Sequence, residues 1–97
     1  LWCWGLNNAG QLGNGTTTSR TAPVRVGSTT WLAVSAGIDH TCGVATGNTL
    51  WCWGANAWGQ LGEGTPFNRT SPFRVGTETG WQAVATGNLF TLAILDD

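Results

Sequence analysis

Leu1-Trp2-Cys3-Trp4-Gly5 returns as Leu50-Trp51-Cys52-Trp53-Gly54, and Gly10-Gln11-Leu12-Gly13 returns as Gly59-Gln60-Leu61-Gly62, both 49 residues further along the chain. The register runs on through Arg20/Arg69, Pro23/Pro72, Arg25/Arg74 and Val26/Val75. It slips by one residue and resumes at Trp31/Trp81, Val34/Val84, Gly37/Gly87 and Thr41/Thr91. A repeat of this length is one supersecondary unit that cannot bury its apolar face alone, so its neighbours must complete the core. Two units, 1–49 and 50–97, therefore form part of a stacked array, and function falls to the loops.

Within each unit the residue types dictate strands. Arg20-Thr-Ala-Pro-Val-Arg-Val-Gly27 and its copy Arg69 to Gly76 carry a proline that cannot donate to a ladder, which places both at a sheet edge. Trp31 to Gly37 and Trp81 to Gly87 are rich in small residues and end in glycine, as expected of strands packed tightly near a central channel. His40 to Ala45 and Thr49 to Gly54 flank Thr46-Gly47-Asn48, a hairpin turn in which Gly and Asn accept a left-handed backbone. Four strands per repeat result, cut so that the chain starts and ends within a blade. The Gly/Asn/Thr-rich stretches 6–19 and 55–68 read as ordered loops, with Leu12 and Leu61 plugging the space between blades.

The small-residue strand ending in Gly, the His-Thr entry to the hairpin, Leu-Trp-Cys-Trp-Gly-x-Asn and Gly-Gln-Leu-Gly-x-Gly-Thr together resemble the regulator-of-chromosome-condensation repeat family over all 97 residues. The resemblance implies an all-β fold of β-propeller blades with four antiparallel strands, and a seven-bladed ring as the family norm. WD-type propellers are the alternative, but their blade-end signals are missing. Tryptophans 2, 4, 31, 51, 53 and 81 recur in register and are expected in the core between blades.

Composition removes several functions. Charged residues make up 9% of the chain, and four arginines without lysine at net charge −1 form no basic stripe for nucleic acid. No run approaches the roughly 18 apolar residues of a membrane span. Three cysteines and one histidine lack metal-ligand spacing, and no cofactor motif is present. Gly59 to Gly64 lacks the order, the following helix and the lysine of a phosphate cradle. Asp39 precedes His40, yet adjacent strand residues face opposite ways, and Phe90 takes the equivalent place, so the position reads as packing rather than catalysis. The acids are scattered over loops and the terminus, leaving a two-carboxylate mechanism without a pair.

Counting outward from a three-residue turn opposes Cys42 to Cys52, whereas a two-residue loop would oppose Cys42 to Trp53 instead. Opposed cysteines have Cα atoms about 4.5 to 5.5 Å apart, which permits a disulfide. Two buried thiols are the alternative. A real bridge implies a secreted, extracellular or periplasmic setting. Cys3 matches Cys52, but Leu92 stands where its partner would be. The sequons at Asn14 and Asn68 read as ordinary loop sequence.

Trp58 stands where the first unit has Ala9, so the scaffold does not demand an indole there. Loop aromatics are enriched in binding hot spots. Asn56 and Trp58 are accordingly the candidate contact residues of a non-catalytic scaffold that recognises a protein through its rim loops. Two rivals follow. One is a lectin-like propeller, with Trp58 stacking on a sugar and Asn56 bonding to it. The other is a purely structural fragment: if the 97 residues are the whole molecule, copies are expected to associate head to tail into a ring of three or four chains, and otherwise flanking repeats complete the blades.

Overall fold

The computed structural model describes residues 1–96 and contains eight strands and no helix among them. In chain order they are β1 (Trp2–Gly5), β2 (Arg20–Arg25), β3 (Trp31–Ala36), β4 (His40–Ala45), β5 (Thr49–Gly54), β6 (Arg69–Arg74), β7 (Trp81–Thr86) and β8 (Thr91–Leu95). All pairings are antiparallel. One complete sheet has the order β3-β4-β5-β6, and it is flanked by two half sheets, β1-β2 and β7-β8. The proline strands β2 and β6 lie at sheet edges, where a missing N–H costs no ladder bond.

The hairpin between β4 and β5 forms around Thr46-Gly47-Asn48. Asn48 (φ 61°) and Gly47 (φ 91°) both occupy the left-handed region that lets a three-residue loop close. The register that follows is His40↔Gly54, Thr41↔Trp53, Cys42↔Cys52, Gly43↔Trp51, Val44↔Leu50 and Ala45↔Thr49. A disulfide joins Cys42 to Cys52. Cys3 carries no disulfide.

β4 is buried along its whole length, because it lies inside its own sheet and is covered on both faces. One face presents Cys42, which with Cys52 and Leu61 forms a cluster capped by Val75 and Val84. Leu61 thus fills the seam between the complete blade and the next half blade. On the inner side, the small residues of β3 let β7 approach: Ser35 Oγ accepts from Thr86 N at 3.1 Å and lies 3.1 Å from Thr86 Oγ1. Gly37 is required in the same place, since a Cβ there would fall 2.5 Å from the Gly87 carbonyl.

The tryptophans divide by neighbourhood rather than by sequence. Trp53 is completely buried, its ring centroid 5.3 Å from that of Trp31 and its Nε1 donating to Gln11 O at 2.9 Å. Trp4 holds the same place in the repeat but is 59% exposed, and Trp2 is exposed as well. The expectation that all six line the core fails for these two. Their sheet has only two strands here, so nothing packs over the indoles.

Candidate functional site

The loop between β5 and β6 is organised from its centre outward by Asn56, which is fully buried. Its Nδ2 donates to Thr65 O (2.6 Å), Phe67 O (3.0 Å) and Glu63 Oε1 (2.8 Å), while its Oδ1 accepts from Leu61 N (3.1 Å). An amide that is fully buried, with both its nitrogen and its oxygen already bonded inside the loop, presents no polar atom to a ligand. The expectation that Asn56 contacts a partner is therefore corrected: it holds the loop in shape. Asn7 does the same work in the first loop, reaching Thr16 O (2.8 Å) and Thr18 O (3.1 Å) and receiving Leu12 N (2.9 Å). Gln60 and Gln11 repeat a second brace, their Oε1 atoms each accepting from the backbone two residues earlier at 2.9 Å.

The loops differ at their outer turn. Glu63 replaces Asn14 and adds an ion pair with Arg69 at 2.7 Å, whose guanidinium also lies 4.0 Å over the Phe73 ring. Burial alone would raise the Glu63 carboxyl. Hydrogen bonds from Thr65, Arg69 and Asn56, with the charge of Arg69, outweigh it and hold the group below the usual carboxylate range.

On this braced loop sits Trp58. Its backbone N is fixed by Gln60 Oε1, yet the residue is 75% exposed, whereas Ala9 in the first loop is buried. Trp58, Leu61, Trp81, Leu89 and Phe90 border a cleft of about 370 Å³ between the loop and the β7-β8 half blade.

His40 lies elsewhere, buried at the seam, with Nε2 3.0 Å from Thr91 Oγ1. Burial pulls its imidazole below the ordinary value, opposed in part by the Phe90 backbone and the Asp39 carboxylate. Ser35 is engaged with Thr86, and Thr41 Oγ1 donates to Gln11 O at 2.9 Å. Neither hydroxyl bonds to His40. No group of three His, Cys, Asp or Glu side chains suited to a metal ion occurs among the described residues.

Sequence reasoning missed Asn7, Gln11 and Gln60 as loop braces. Their signal was available, because each recurs in register whereas Trp58 does not.

Comparison with known proteins follows the same lines. The family model described as the regulator of chromosome condensation (RCC1) repeat matches residues 1–44 and 48–94, and a second RCC1 repeat model matches 31–60. A sequence search of the curated proteins gives no match. Among solved structures, human WBSCR16 is similar with a TM-score of 0.83 and 22% identity, over 97% of this chain and 26% of that one. Yeast RCC1 (Prp20), solved bound to Kap60, is similar with a TM-score of 0.77 and 24% identity, over 99% of this chain and 23% of that one. A Saccharomyces cerevisiae Prp20p structure, described with its binding properties to Gsp1p and histones, gives 0.77 and 17% identity, over 97% and 26% of the two chains. The chain spans about a quarter of the length of these proteins.

Proposed function

Because the chain belongs to the RCC1 repeat family, we propose that it is a non-catalytic propeller scaffold that recognises a protein through its rim loops, with Trp58 as the principal contact residue. The observation that carries this reading is an exposed indole on a loop braced by a buried asparagine and glutamine. A preorganised aromatic offers large contact area with little ordering cost. The Kap60 complex and the Gsp1p and histone binding described for similar structures support a protein as the class of partner. The Cys42–Cys52 bridge supports an oxidising compartment for this chain. The sugar-binding reading loses support, since Asn56 has no free polar atom to offer.

Affinity capture from the source extract, run in parallel with wild type and Trp58→Ala, tests the proposal. A protein retained by the wild type and weakened about 30-fold by Trp58→Ala, the effect of a 2 kcal/mol hot spot, is the expected result. Equal affinity of both forms for every captured protein overturns it, as does selective binding on a glycan array.

A further inference from the structure

The seam between the first half blade and the complete blade holds a cavity of about 370 Å³, and we infer that it binds a carboxylate carried on a small aromatic body. Six side chains that border it carry the argument: Asn14, Arg25, Trp31, Trp51, Ser71 and Pro72. They come from the first loop, the end of β2, the start of β3, β5 and β6. Every wall therefore lies between residues 13 and 72, whatever precedes or follows the chain. The inference does not rest on the reading of Trp58, which borders a different cleft.

Around the cavity stand hydrogen-bond donors and no acid. Asn14 Oδ1 is spent inside its own loop, accepting from Thr16 N (3.2 Å), Thr16 Oγ1 (2.8 Å) and Asn7 Nδ2 (3.4 Å). The bond from Thr16 N fixes which end of the amide is oxygen, so the Nδ2 donor is left over, and it has no partner among the described residues. Arg25 forms no ion pair among them, the single pair being Glu63 with Arg69. Ser71 adds a hydroxyl, and no Asp or Glu borders the cavity. Trp31 Nε1 is a further donor, buried without a partner. A guanidinium and neutral donors without an acid among them select an anion, and the planar fork of Arg25 matches a carboxylate. The indoles of Trp31 and Trp51 with Pro72 give flat apolar walls that suit an aromatic ring on that carboxylate, in a volume within the range of small-ligand sites.

The second loop shows the opposite chemistry at the same place. Glu63 stands where Asn14 does and receives the same inward bonds through Oε1, from Thr65 N (3.2 Å) and Asn56 Nδ2 (2.8 Å). Its other oxygen is bonded to Arg69 at 2.7 Å, whereas the other polar atom of Asn14 is an unpaired N–H donor. The first seam thus has the donors and no anion of its own. A neighbouring repeat does not supply one. The second seam contains the hairpin that precedes it, Thr46-Gly47-Asn48, and Asn48 meets the backbone of Trp81: its Nδ2 donates to Trp81 O (2.9 Å), and its carbonyl accepts from Trp81 N (3.1 Å). With that hairpin in place Trp81 Nε1 is still without a partner, and Arg74, the counterpart of Arg25, bonds to Thr77 O in its own linker (3.3 Å). The same hairpin set beside Trp31 would leave Nε1 and Arg25 equally open.

Titration of the 97-residue chain with phenylacetate, followed through the indole N–H signals in nitrogen–proton NMR spectra, tests the inference. The signals of Trp31 and Trp51, assigned from Trp31→Phe and Trp51→Phe, should shift saturably with a Kd of about 1 mM or tighter, while that of Trp58 stays in place. Phenylacetamide, the same body without the charge, should bind at least about tenfold more weakly, and Arg25→Gln should weaken phenylacetate by a similar factor. Asn14→Asp keeps the Oδ1 bonds and turns the Nδ2 donor into an oxygen, so it should weaken phenylacetate likewise. Acetyl-Gly-Phe with a free C-terminal carboxylate separates two sources of the group. Binding tighter than that of phenylacetate assigns the site to a chain terminus, binding no tighter assigns it to a free acid, and either keeps the carboxylate as the ligand. No shift of either indole up to about 10 mM phenylacetate, or binding unchanged by the amide and by both Arg25→Gln and Asn14→Asp, overturns the inference.

Discussion

Asn56 and Trp58 are two residues apart in one loop and do opposite things. Asn56 substitutes for secondary structure, pinning three backbone groups that the loop could not otherwise satisfy out of water. Asn56→Ala should destabilise by at least about 1 to 3 kcal/mol, the cost of a buried group left unsatisfied. Trp58→Ala should stay within about 0.5 kcal/mol, as for an exposed site. Denaturant melts of both variants check the contrast, and equal losses would place Trp58 in the core. Sequence alone put Asn56 on the surface because asparagine in a loop is usually solvated. What buries it is the inward turn of the Thr65 and Phe67 carbonyls, about ten residues downstream, which no local pattern reveals. His40 carries a pH prediction. Its folded-state value lies below the unfolded one, so the fold binds fewer protons there. The stability it contributes is present above pH about 6.5 and is lost as pH falls through the depressed value. Melts from pH 7.5 to 5 should show a decline that His40→Phe, copying Phe90, reduces. Glu63 acts in a separate window, its contribution starting to fade only near pH 4.5 and below.

At the scale of elements, the sequence narrowed the β4-β5 hairpin to two registers, and the left-handed Gly47 and Asn48 close the three-residue turn that opposes the two cysteines. Its bridge closes a short loop of sequence separation 10. Removing it by Cys42→Ser with Cys52→Ser should cost about 2 to 3 kcal/mol on loop entropy. Peptide mapping without reductant and paired melts with and without it check this, and recovery of both as free thiols from oxidising conditions would refute it. Trp53→Ala should cost more, about 3 to 5 kcal/mol, because the void opens between β3, β5 and the first loop. Trp4→Ala, the same residue of the repeat on β1, should cost far less, because that indole is exposed. Periodicity could not distinguish these two indoles. Burial belongs to the neighbouring sheet, which the pattern within one unit does not contain.

For the whole molecule, the sequence unit and the structural blade are out of step. The boundary between the two units at 49/50 falls inside the β3-β4-β5-β6 sheet, so the inner pair of that blade comes from one unit and the outer pair from the next. The arrangement is that of bricks laid with staggered joints. Each joint in the sequence is bridged by a sheet, and each joint between sheets is bridged by continuous chain. No blade can therefore peel away by melting one unit, because half of it is held by the next course. Opening one sheet unpairs strands that the backbone still ties to the neighbouring sheet, which spreads any local opening over at least two blades. Genetic gain or loss of one 49-residue unit, wherever the cut falls, would add or remove one whole course and leave the bond pattern of the wall unchanged.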